Sequence, residues 1–341
     1  MEGVVTSWTN RRVFVTGATG LLGSWLCEEL VHRGAEVVAL VRDWVPDSHF
    51  SRSDALARCV IVRGELEDYP LLVRAMNEHE VDSVFHLAAQ TIVGVASRHP
   101  LSTFESNIRG TWNVLEASRT CGQRVQRVIV ASSDKAYGQQ AILPYTEETP
   151  LQGRFPYDVS KSCADLISLA YFHTYQLPVA ITRCGNLFGG GDLNFNRLVP
   201  GTIRSAHRDE APIIRSNGQY VREYFYVRDA VDAYLTLAER MTEAGFAGQA
   251  FNFGSGECLS VIDMVTLILR VMGKSTLEPV VLNQAVHEIP DQALDISKAA
   301  RELAWVPKHR VEAGLRETVA WYAPLLAGNL TPRPRSGTLD A

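Results

Sequence analysis

The sequence has no excess of basic residues. Its 341 residues include 33 Lys and Arg against 38 Asp and Glu, so the formal net charge is −5. Proteins that bind the phosphate backbone of nucleic acids carry clustered positive charge, and no region of this chain is strongly basic. We therefore expect no nucleic-acid partner.

Long apolar runs are also missing. No apolar stretch reaches the roughly 20 residues that a membrane-spanning helix needs. The N-terminal segment MEGVVTSWTNRRVFV has no apolar core ahead of a small-residue cleavage site. A cytoplasmic location without a membrane partner is the expectation that follows.

The sequence contains neither a CxxC pair nor a Cys/His spacing that is typical of metal sites. Its cysteines are scattered along a long chain, and free cysteine is often a buried packing residue. We therefore expect no metal, and reduced thiols at all six positions: Cys27, Cys59, Cys121, Cys163, Cys184 and Cys258.

Short apolar, β-branched runs alternate with helix-like stretches over the first 185 residues. RRVFVTG, AEVVALV, RCVIVRG, SVFHLAA, RVIVAS and PVAITRC predict strands. Continuously apolar strands that alternate with helices predict an α/β fold with a Rossmann-type, doubly wound parallel sheet. Long helices are expected over residues 99–119 and 157–175.

The pattern changes after about residue 185. GNLFGGGDLNFNRLVP is rich in Gly and Asn and predicts a long loop, and shorter helices and strands follow it. We assign residues 1–185 to a dinucleotide-binding domain and residues 186–327 to a smaller, mixed α/β substrate-binding cap with segments that cross back to the first domain. Residues 328–341 are expected to be a disordered tail.

The stretch VTGATGLLG places Gly17, Gly20 and Gly23 between the first strand and the first helix. Such glycines permit a tight turn, a close backbone approach to a diphosphate and close packing of helix on strand. Because the loop opens a βαβ unit, it predicts a dinucleotide site rather than a glycine turn without a ligand.

The end of the second strand bears on the choice of cofactor. An acid there binds the ribose hydroxyls of NAD, but the run is ALVRD, so Val41 stands where the acid is expected. Arg42 can pair with a 2′-phosphate, and Asp43 can still reach a ribose. Arg42 therefore favours NADP over NAD, the alternative being that it stacks on adenine or lies in solvent.

Tyr157 and Lys161 form a YxxxK pair at the start of a predicted helix. Residues four apart share one helix face, so the ammonium is expected to lower the pKa of the phenol and make it a usable base. The pair follows the strand that ends in Ser132 and Ser133. Both groups are thus expected at the carboxyl edge of the sheet, where ligands bind.

Several motifs together resemble the extended short-chain dehydrogenase/reductase family of nucleotide-sugar enzymes, over about residues 10–327. Within that family the similarity is greatest to the CDP-glucose 4,6-dehydratases, which have a similar glycine loop followed by GSWL, and similar HxAAQ, SDKxY and GNxxGGGD segments. The motifs occur in the order TGATGLLG, HLAAQ, SSDKAYG, YDVSK, RCGNLFGGGD and VREYFYVRD.

This resemblance implies a reaction and a set of catalytic residues. Tyr157 takes the C4 hydroxyl proton of a nucleotide-linked hexose while Ser133 hydrogen-bonds the same oxygen and Lys161 holds the nicotinamide ribose. Lys135 removes the C5 proton, and Asp134 protonates the departing C6 hydroxyl, with the roles of these two exchangeable. The competing interpretation of Asp134 and Lys135 is an ordinary salt bridge that closes the strand end.

The resemblance also implies a tightly bound NAD(P) that is recycled within each turnover. Beside Tyr157 and Lys161, it places these residues around the cofactor: Gly17, Thr19, Gly20, Leu21, Leu22, Arg42, Asp43, Glu65, Leu66, Ala88 and Ala89. The nucleotide-diphosphate sugar is expected to contact Gln90, Asn186, Arg215 and Arg222, although Arg222 could instead form a surface ion pair with Glu223 or Asp229.

Three further expectations concern Asn107, His86 and the assembly, the first and last of them implied by the resemblance. Asn107 either helps order the active-site helix or kinks its own helix. His86 is expected to be a packed strand residue rather than an acid or base. The two long helices are expected to pair across a two-fold axis, which implies a homodimer.

Three other functions remain open. A nucleotide-sugar 4-epimerase needs Ser133, Tyr157 and Lys161 but not the two charged neighbours of Ser133. An NADPH-dependent carbonyl reductase is favoured by Arg42 but not by the GNLFGGGD loop. A dinucleotide sensor without catalysis would not need the intact Ser, Tyr and Lys.

Overall fold

The computed structural model describes residues 7–284 and 288–328. Its centre is a seven-stranded sheet in which every neighbouring pair is parallel, with the order β10-β6-β5-β4-β1-β2-β3. The strands are β1 Arg12–Thr16, β2 Glu36–Val41, β3 Val60–Arg63, β4 Ser83–His86, β5 Arg127–Ala131, β6 Val179–Cys184 and β10 Ala250–Phe253. The expected Rossmann-type sheet is confirmed.

Both faces of this sheet are buried. Along β1, Val13 and Val15 pack into one apolar cluster, and Phe14 between them packs into another. Successive side chains of a strand point to opposite faces, so the two clusters lie on the two sides of the sheet. This arrangement explains why the strands are continuously apolar rather than alternating.

Helices cover the two faces and build the remainder of the structure. They are α1 Leu21–His32, α2 His49–Arg52, α3 Ala55–Arg58, α4 Tyr69–Glu78, α5 Val93–Arg98, α6 Pro100–Phe104, α7 Gly110–Thr120, α8 Pro156–Tyr175, α9 Leu198–His207, α10 Val227–Arg240, α11 Val261–Val271, α12 Ser297–Leu303 and α13 Val311–Leu326. Leu22, Leu26 and Leu30 of α1 belong to one cluster, whereas Leu72 and Met76 of α4 belong to the other.

Two short sheets lie in the second half of the chain. One has the order β11-β9-β7 and the other pairs β12 with β8. Their strands are β7 Asn186–Phe188, β8 Ile213–Ile214, β9 Val221–Tyr226, β11 Cys258–Ser260 and β12 Val280–Val281. The stretch that predicted one long loop after residue 185 therefore begins with a strand, because residues 186–188 pair with Tyr224, Phe225 and Tyr226.

The expected continuous helix over residues 99–119 is also interrupted. A π-helical turn, Glu105–Arg109, separates α6 from α7. The Thr111 hydroxyl donates to the Asn107 carbonyl at 2.6 Å, and the Asn107 side chain turns inward. Side chains inserted at such turns commonly bend a helix.

One strand of the large sheet comes from the second half of the chain. β10 pairs with β6 through a register that joins Ala250 to Ile181 and Phe253 to Cys184. The boundary between residues 185 and 186 stays a prediction, and residues 329–341 of the expected tail lie outside the described residues. No helix in residues 7–284 and 288–328 is both long and apolar enough to cross a membrane.

Candidate active site

A cavity of about 1280 Å³ opens at the carboxyl edge of the large sheet. Its wall is formed by residues that follow β1, β2, β4, β5 and β6, together with β7, α9 and the segment around residues 213–224. The carboxyl edge of an open parallel sheet is where ligands bind in folds of this class. The cavity therefore lies where the sequence placed the reactive residues.

The glycine loop forms the floor of one end of this cavity. Gly17 has a φ of 76°, and the Gly20 N–H donates to the Gly17 carbonyl at 3.0 Å. A Cβ at Gly23 would lie 2.7 Å from the Gly17 carbonyl carbon. The loop thus brings backbone amides and the beginning of α1 close to the cavity, and this cradle fits the diphosphate of a dinucleotide.

Most of the expected cofactor residues line the cavity, and one does not. Glu65 is exposed and lies outside the lining, whereas its neighbour Glu67 lines it. Arg42 donates to Asp43 Oδ2 at 2.7 Å, and 63% and 68% of these side chains are exposed. The expected residues that do line it are Gly17, Thr19, Gly20, Leu21, Leu22, Arg42, Asp43, Leu66, Ala88, Ala89, Tyr157 and Lys161.

Helix α8 carries the YxxxK pair into the cavity wall. It begins at Pro156, whose fixed φ suits the first turn and whose missing N–H costs no helical hydrogen bond there. Tyr157 and Lys161 are both buried and both line the cavity. The early turns of α8 thus set the phenol and the amine beside the end of β5.

The expected effect of Lys161 on the phenol is wrong for this structure. The Lys161 amine donates to the Ala131 carbonyl at 2.8 Å. Burial lowers the pKa of Lys161 to about 8. Burial, helped by the negative charge of Asp134, raises the pKa of Tyr157 above its ordinary value, and the main cation that opposes this rise is Arg197.

A tight turn brings the hydroxyl, the acid and the amine together after β5. The residues of a 3₁₀ turn, Asp134–Tyr137, follow Ser133, whose hydroxyl accepts from the Lys135 N–H at 3.3 Å and donates to Asp134 Oδ1 at 2.9 Å. Ser133 and Lys135 line the cavity, but Asp134 is 1% exposed and lies behind them. Asp134 therefore communicates with the cavity through the Ser133 hydroxyl.

Burial shifts both charged groups toward their neutral forms. It raises the pKa of Asp134, although Lys135 opposes the rise. It lowers the pKa of Lys135, a change that Asp134 opposes and Arg222 assists. A second carboxyl, that of Asp158 on α8, has a pKa raised by burial to about 6. At the end of β5, burial thus favours the protonated acid and the neutral amine, the forms that can donate and accept a proton.

The cap contributes basic and amide groups to the same cavity. Arg222 is buried, donates to the Pro290 carbonyl at 2.6 Å and pairs with Glu288 at 3.3 Å. The ion pair of Arg222 with Glu223 or Asp229, which was the alternative expectation, is not the one that the structure shows. Arg215 is exposed and donates to the Asn196 side chain at 3.0 Å. Asn186, Arg215 and Arg222 all line the cavity.

Gln90 is the expected substrate residue that lies outside the lining. Its backbone N–H donates to Asn107 Oδ1 at 2.6 Å, and its carbonyl accepts from Asn107 Nδ2 at 3.0 Å. Asn107 Nδ2 also donates to the Ser160 hydroxyl of α8 at 2.9 Å. Asn107 therefore lies at the π-helical turn and ties this turn to the active-site helix.

His86 is a packed strand residue, as expected. Its ring is fully buried, and its two nitrogens lie 2.9 Å and 3.0 Å from the Thr16 and Thr111 hydroxyls. Burial lowers its pKa to about 3, so the ring is neutral.

Three residues near the reactive groups were missed by sequence reasoning. Arg197 hydrogen-bonds Asp192 and the Thr91 hydroxyl, and Asp158 follows Tyr157 directly. Gln292 accepts a hydrogen bond from the Lys135 amine at 2.9 Å. The position of Asp158 beside the phenol was a usable signal, but nothing in the sequence connects Gln292 with a residue 157 positions earlier.

The residues of this site lie within a stretch that matches a known protein family. The family described as GDP-mannose 4,6 dehydratase matches residues 14–318, a range that contains the glycine loop, the Ser133 turn and α8. The chain belongs to this family. The expected membership of the extended short-chain dehydrogenase/reductases, among the nucleotide-sugar 4,6-dehydratases, is thereby confirmed.

Individual relatives of this dehydratase-family enzyme cover most of its length. The CDP-glucose 4,6-dehydratase of Salmonella typhimurium is 31% identical over 337 residues, which cover 94% of this chain and 93% of that enzyme. The dTDP-glucose 4,6-dehydratase DesIV of Streptomyces venezuelae, solved with NAD bound, has a TM-score of 0.83 and 28% identity and covers 91% of this chain and 96% of its own.

An epimerase is similar as well. The UDP-glucose 4-epimerase of Thermotoga maritima, solved with UDP-glucose, has a TM-score of 0.84 and 28% identity and covers 92% of this chain and 99% of its own. The shared fold therefore supports a nicotinamide dinucleotide and a nucleotide sugar as ligands of the dehydratase family's cavity. It leaves the choice of reaction to the residues in that cavity.

Proposed function

We propose that this protein is a 4,6-dehydratase that converts CDP-glucose to its 4-keto-6-deoxy product. The observation that carries the proposal is the pair Asp134 and Lys135 beside Ser133: Asp134 is buried behind the Ser133 hydroxyl, and Lys135 lies on the cavity wall that holds Tyr157. Burying two charges costs free energy, and a 4-epimerase has no use for them. Elimination of water needs both an acid and a base.

The proposed steps assign each proton to a residue. The glycine loop at Gly17 and Gly20 would hold the diphosphate of a nicotinamide dinucleotide, which would supply the hydride acceptor for C4 and the hydride donor for C6. Tyr157 takes the C4 hydroxyl proton and Ser133 donates to the same oxygen. Lys135, as the neutral amine, takes the C5 proton, and the C5 electron pair expels the C6 hydroxyl, which becomes water with a proton that Asp134 supplies through the Ser133 hydroxyl.

The remaining protons also balance. Lys135 returns its proton to C5 when hydride reaches C6. Tyr157 then carries one proton more than at the start and Asp134 one fewer, and exchange with water restores both. The first step requires a phenolate, so the Lys161 amine must exchange its hydrogen bond with Ala131 for a place near the phenol.

The decisive experiment separates oxidation from water loss. The purified protein is incubated with CDP-, UDP-, dTDP- and GDP-hexoses without added cofactor, and products are followed by mass spectrometry and by the ultraviolet absorbance of a 4-keto product in alkali. We expect the loss of one water, fastest with CDP-glucose. A product of unchanged mass with an inverted C4 would select the epimerase, the function that the Thermotoga structure favours.

Variants then test the charged pair. Asp134→Asn and Lys135→Met are each expected to slow water loss by about 10²-fold or more, the usual contribution of a general acid or base, while C4 oxidation continues. The matched controls, Asp209→Asn and Lys308→Met, change an Asp that is 69% exposed and a Lys that is 63% exposed. Unimpaired water loss in both active-site variants would remove the pair from the chemistry.

The preference for CDP-glucose rests on the Salmonella relative and on the cap. Arg222 and Asn186 are proposed to bind the diphosphate, and Arg215 to border the nucleotide. Arg222→Met is expected to raise KM at least 10-fold because a charge-assisted hydrogen bond to phosphate is lost. An unchanged KM would show that Arg222 only supports the segment around Pro290.

We also propose NADP as the preferred dinucleotide. The support is Arg42, an exposed guanidinium at the cavity whose partner Asp43 can be replaced by a 2′-phosphate. Cofactor released by denaturing the protein should be NADP, and Arg42→Ala should favour NAD. Recovery of NAD alone, as in the NAD-bound DesIV structure, would reverse this preference.

A homodimer and a cytoplasmic location remain predictions. Large apolar side chains are exposed on the two helical segments that are expected to pair, at Leu101, Trp112, Leu166 and Tyr175. Sedimentation equilibrium should give twice the mass of the chain for the natural protein and a lower mass for Leu166→Glu.

A further inference from the structure

The Lys135 amine has a partner that is remote in sequence. Its Nζ donates to Gln292 Oε1 at 2.9 Å, and the Gln292 side chain is fully buried. Gln292 lies in the segment after β12 and is held there because its own N–H donates to the Val221 carbonyl at 3.1 Å. The carboxamide therefore reaches the amine from the opposite half of the chain.

The nitrogen of this carboxamide makes no hydrogen bond within the described residues. Gln292 Nε2 is buried and has no hydrogen-bond partner among the residues that the structure describes. A buried amide donor without a partner costs about 1–3 kcal/mol by the usual mutational measure, so such an atom calls for an explanation. The same carboxamide already contacts the Lys135 amine through Oε1.

Charged groups face the same amine from several elements. Asp134 lies in the turn after β5, Asp158 is on α8, Arg222 is on β9, and Glu288 precedes Gln292 in the following segment. They act on Lys135 through their charge, whereas Gln292 is the side chain that hydrogen-bonds it in the described part of the structure. The carboxamide thus fixes where the amine lies without adding a charge.

We propose that Gln292 is a positioning residue that holds the Lys135 amine in both of its protonation states. Toward the ammonium, Oε1 accepts a hydrogen bond. Toward the neutral amine, a half-turn of the carboxamide presents Nε2 as a donor to the nitrogen lone pair. This inference rests on the proposed dehydratase reaction, in which Lys135 gains and returns one proton in each turnover.

Two substitutions separate this role from simple packing. In Gln292→Glu, a carboxylate beside Lys135 stabilises the ammonium and raises the pKa of the amine, typically by one to three pH units. The neutral base then forms only at higher pH, so the acid limb of the pH profile for water loss should move up by at least one pH unit. In Gln292→Met, with similar bulk and no donor, kcat for water loss should fall about 10-fold with KM changed less than 3-fold.

The measurements follow water loss, C5 deuterium incorporation from heavy water and C4 oxidation, each as a function of pH. Gln219→Glu, which changes an exposed Gln of the cap, is the matched control and should behave as the natural protein. C4 oxidation should continue in both Gln292 variants, because it does not use Lys135.

Each other outcome has a distinct meaning. If the natural protein releases water but Gln292→Glu keeps its acid limb and Gln292→Met keeps its kcat, the inference is overturned. If C4 oxidation and water loss fall together in both variants, Gln292 has a merely structural role, and the inference is again overturned. If the natural protein releases no water from any nucleotide sugar, the proposed function itself has failed, independently of Gln292.

Discussion

The substitution Gly23→Ala tests the dinucleotide cradle most directly. The added Cβ would lie 2.7 Å from the Gly17 carbonyl carbon and 3.1 Å from the Ala18 Cα, and closer still to the Gly17 oxygen. All three atoms belong to the backbone between β1 and α1. They cannot rotate away as the end of a side chain would, so the loop itself has to move.

The size of the effect follows from this geometry. Inserting a methylene-sized group into a packed region usually costs about 1–3 kcal/mol, and a rigid backbone on one side places this site at the upper end. A displaced loop also withdraws its amides from the diphosphate. We therefore expect a loss of roughly 3 kcal/mol in the free energy of unfolding together with a protein purified without cofactor.

Gly94→Ala is the matched control for this prediction. Gly94 is helical, and the nearest atom to an added Cβ is the flexible end of Arg98 at 3.7 Å. Alanine in place of a helical glycine stabilises by up to about 1 kcal/mol. Urea unfolding and the absorbance of the released dinucleotide report both properties. A Gly23→Ala protein as stable and as fully loaded as Gly94→Ala would refute the reasoning.

Three further predictions concern buried polar groups. The pKa of Asp158 is raised from 3.8 to about 6 in the folded protein, so its ionised form opposes folding above pH 6 by at most about 3 kcal/mol. Asp158→Asn should therefore be more stable than the natural protein at pH 7. Urea titrations should show that this gain vanishes below pH 4. Arg183→Met breaks an ion pair with Asp165, in which the two side chains are 5% and 0% exposed. Thermal unfolding should show that the free energy of unfolding falls by about 3–5 kcal/mol. The control Arg316→Met, which changes an exposed Arg, should lower it by less than about 1 kcal/mol. Asn107→Leu leaves both backbone groups of residue 90 without this partner and should cost about 2–4 kcal/mol; a stability equal to that of the natural protein would contradict the bridging role.

The sequence was sufficient to predict those features of the fold that follow from a local pattern of residues. The short apolar runs predicted the strands β1 to β6 because few other structures have that pattern. The spacing of the glycines predicted the turn between β1 and α1 for the same reason. The position of Tyr157 and Lys161 on one helix face follows in the same way from the spacing of four residues. Each of these signals is contained within one element or one turn.

Features that depend on burial or on remote contacts were not accessible in this way. The sequence spacing puts Tyr157 and Lys161 on one helix face, but only the structure shows that the Lys161 amine donates to Ala131 and that burial raises the pKa of the phenol. Likewise, Gln292 meets Lys135 only because the segment after β12 returns to the sheet. The strand at residues 186–188 depends on pairing with β9, and Gly- and Asn-rich segments give no periodic signal for it.

The position of β10 bears on how the chain reaches its native state. β6 is exposed along one side until residues 250–253 have been synthesised and have paired with it. On the ribosome, the first half of the protein therefore emerges with an unsatisfied row of amides and carbonyls, and such rows promote association between chains. In a fragment that ends at residue 185, the backbone groups along this side of β6 would stay unpaired, so the fragment should aggregate. The sheet is therefore complete only after the second half of the chain has been synthesised.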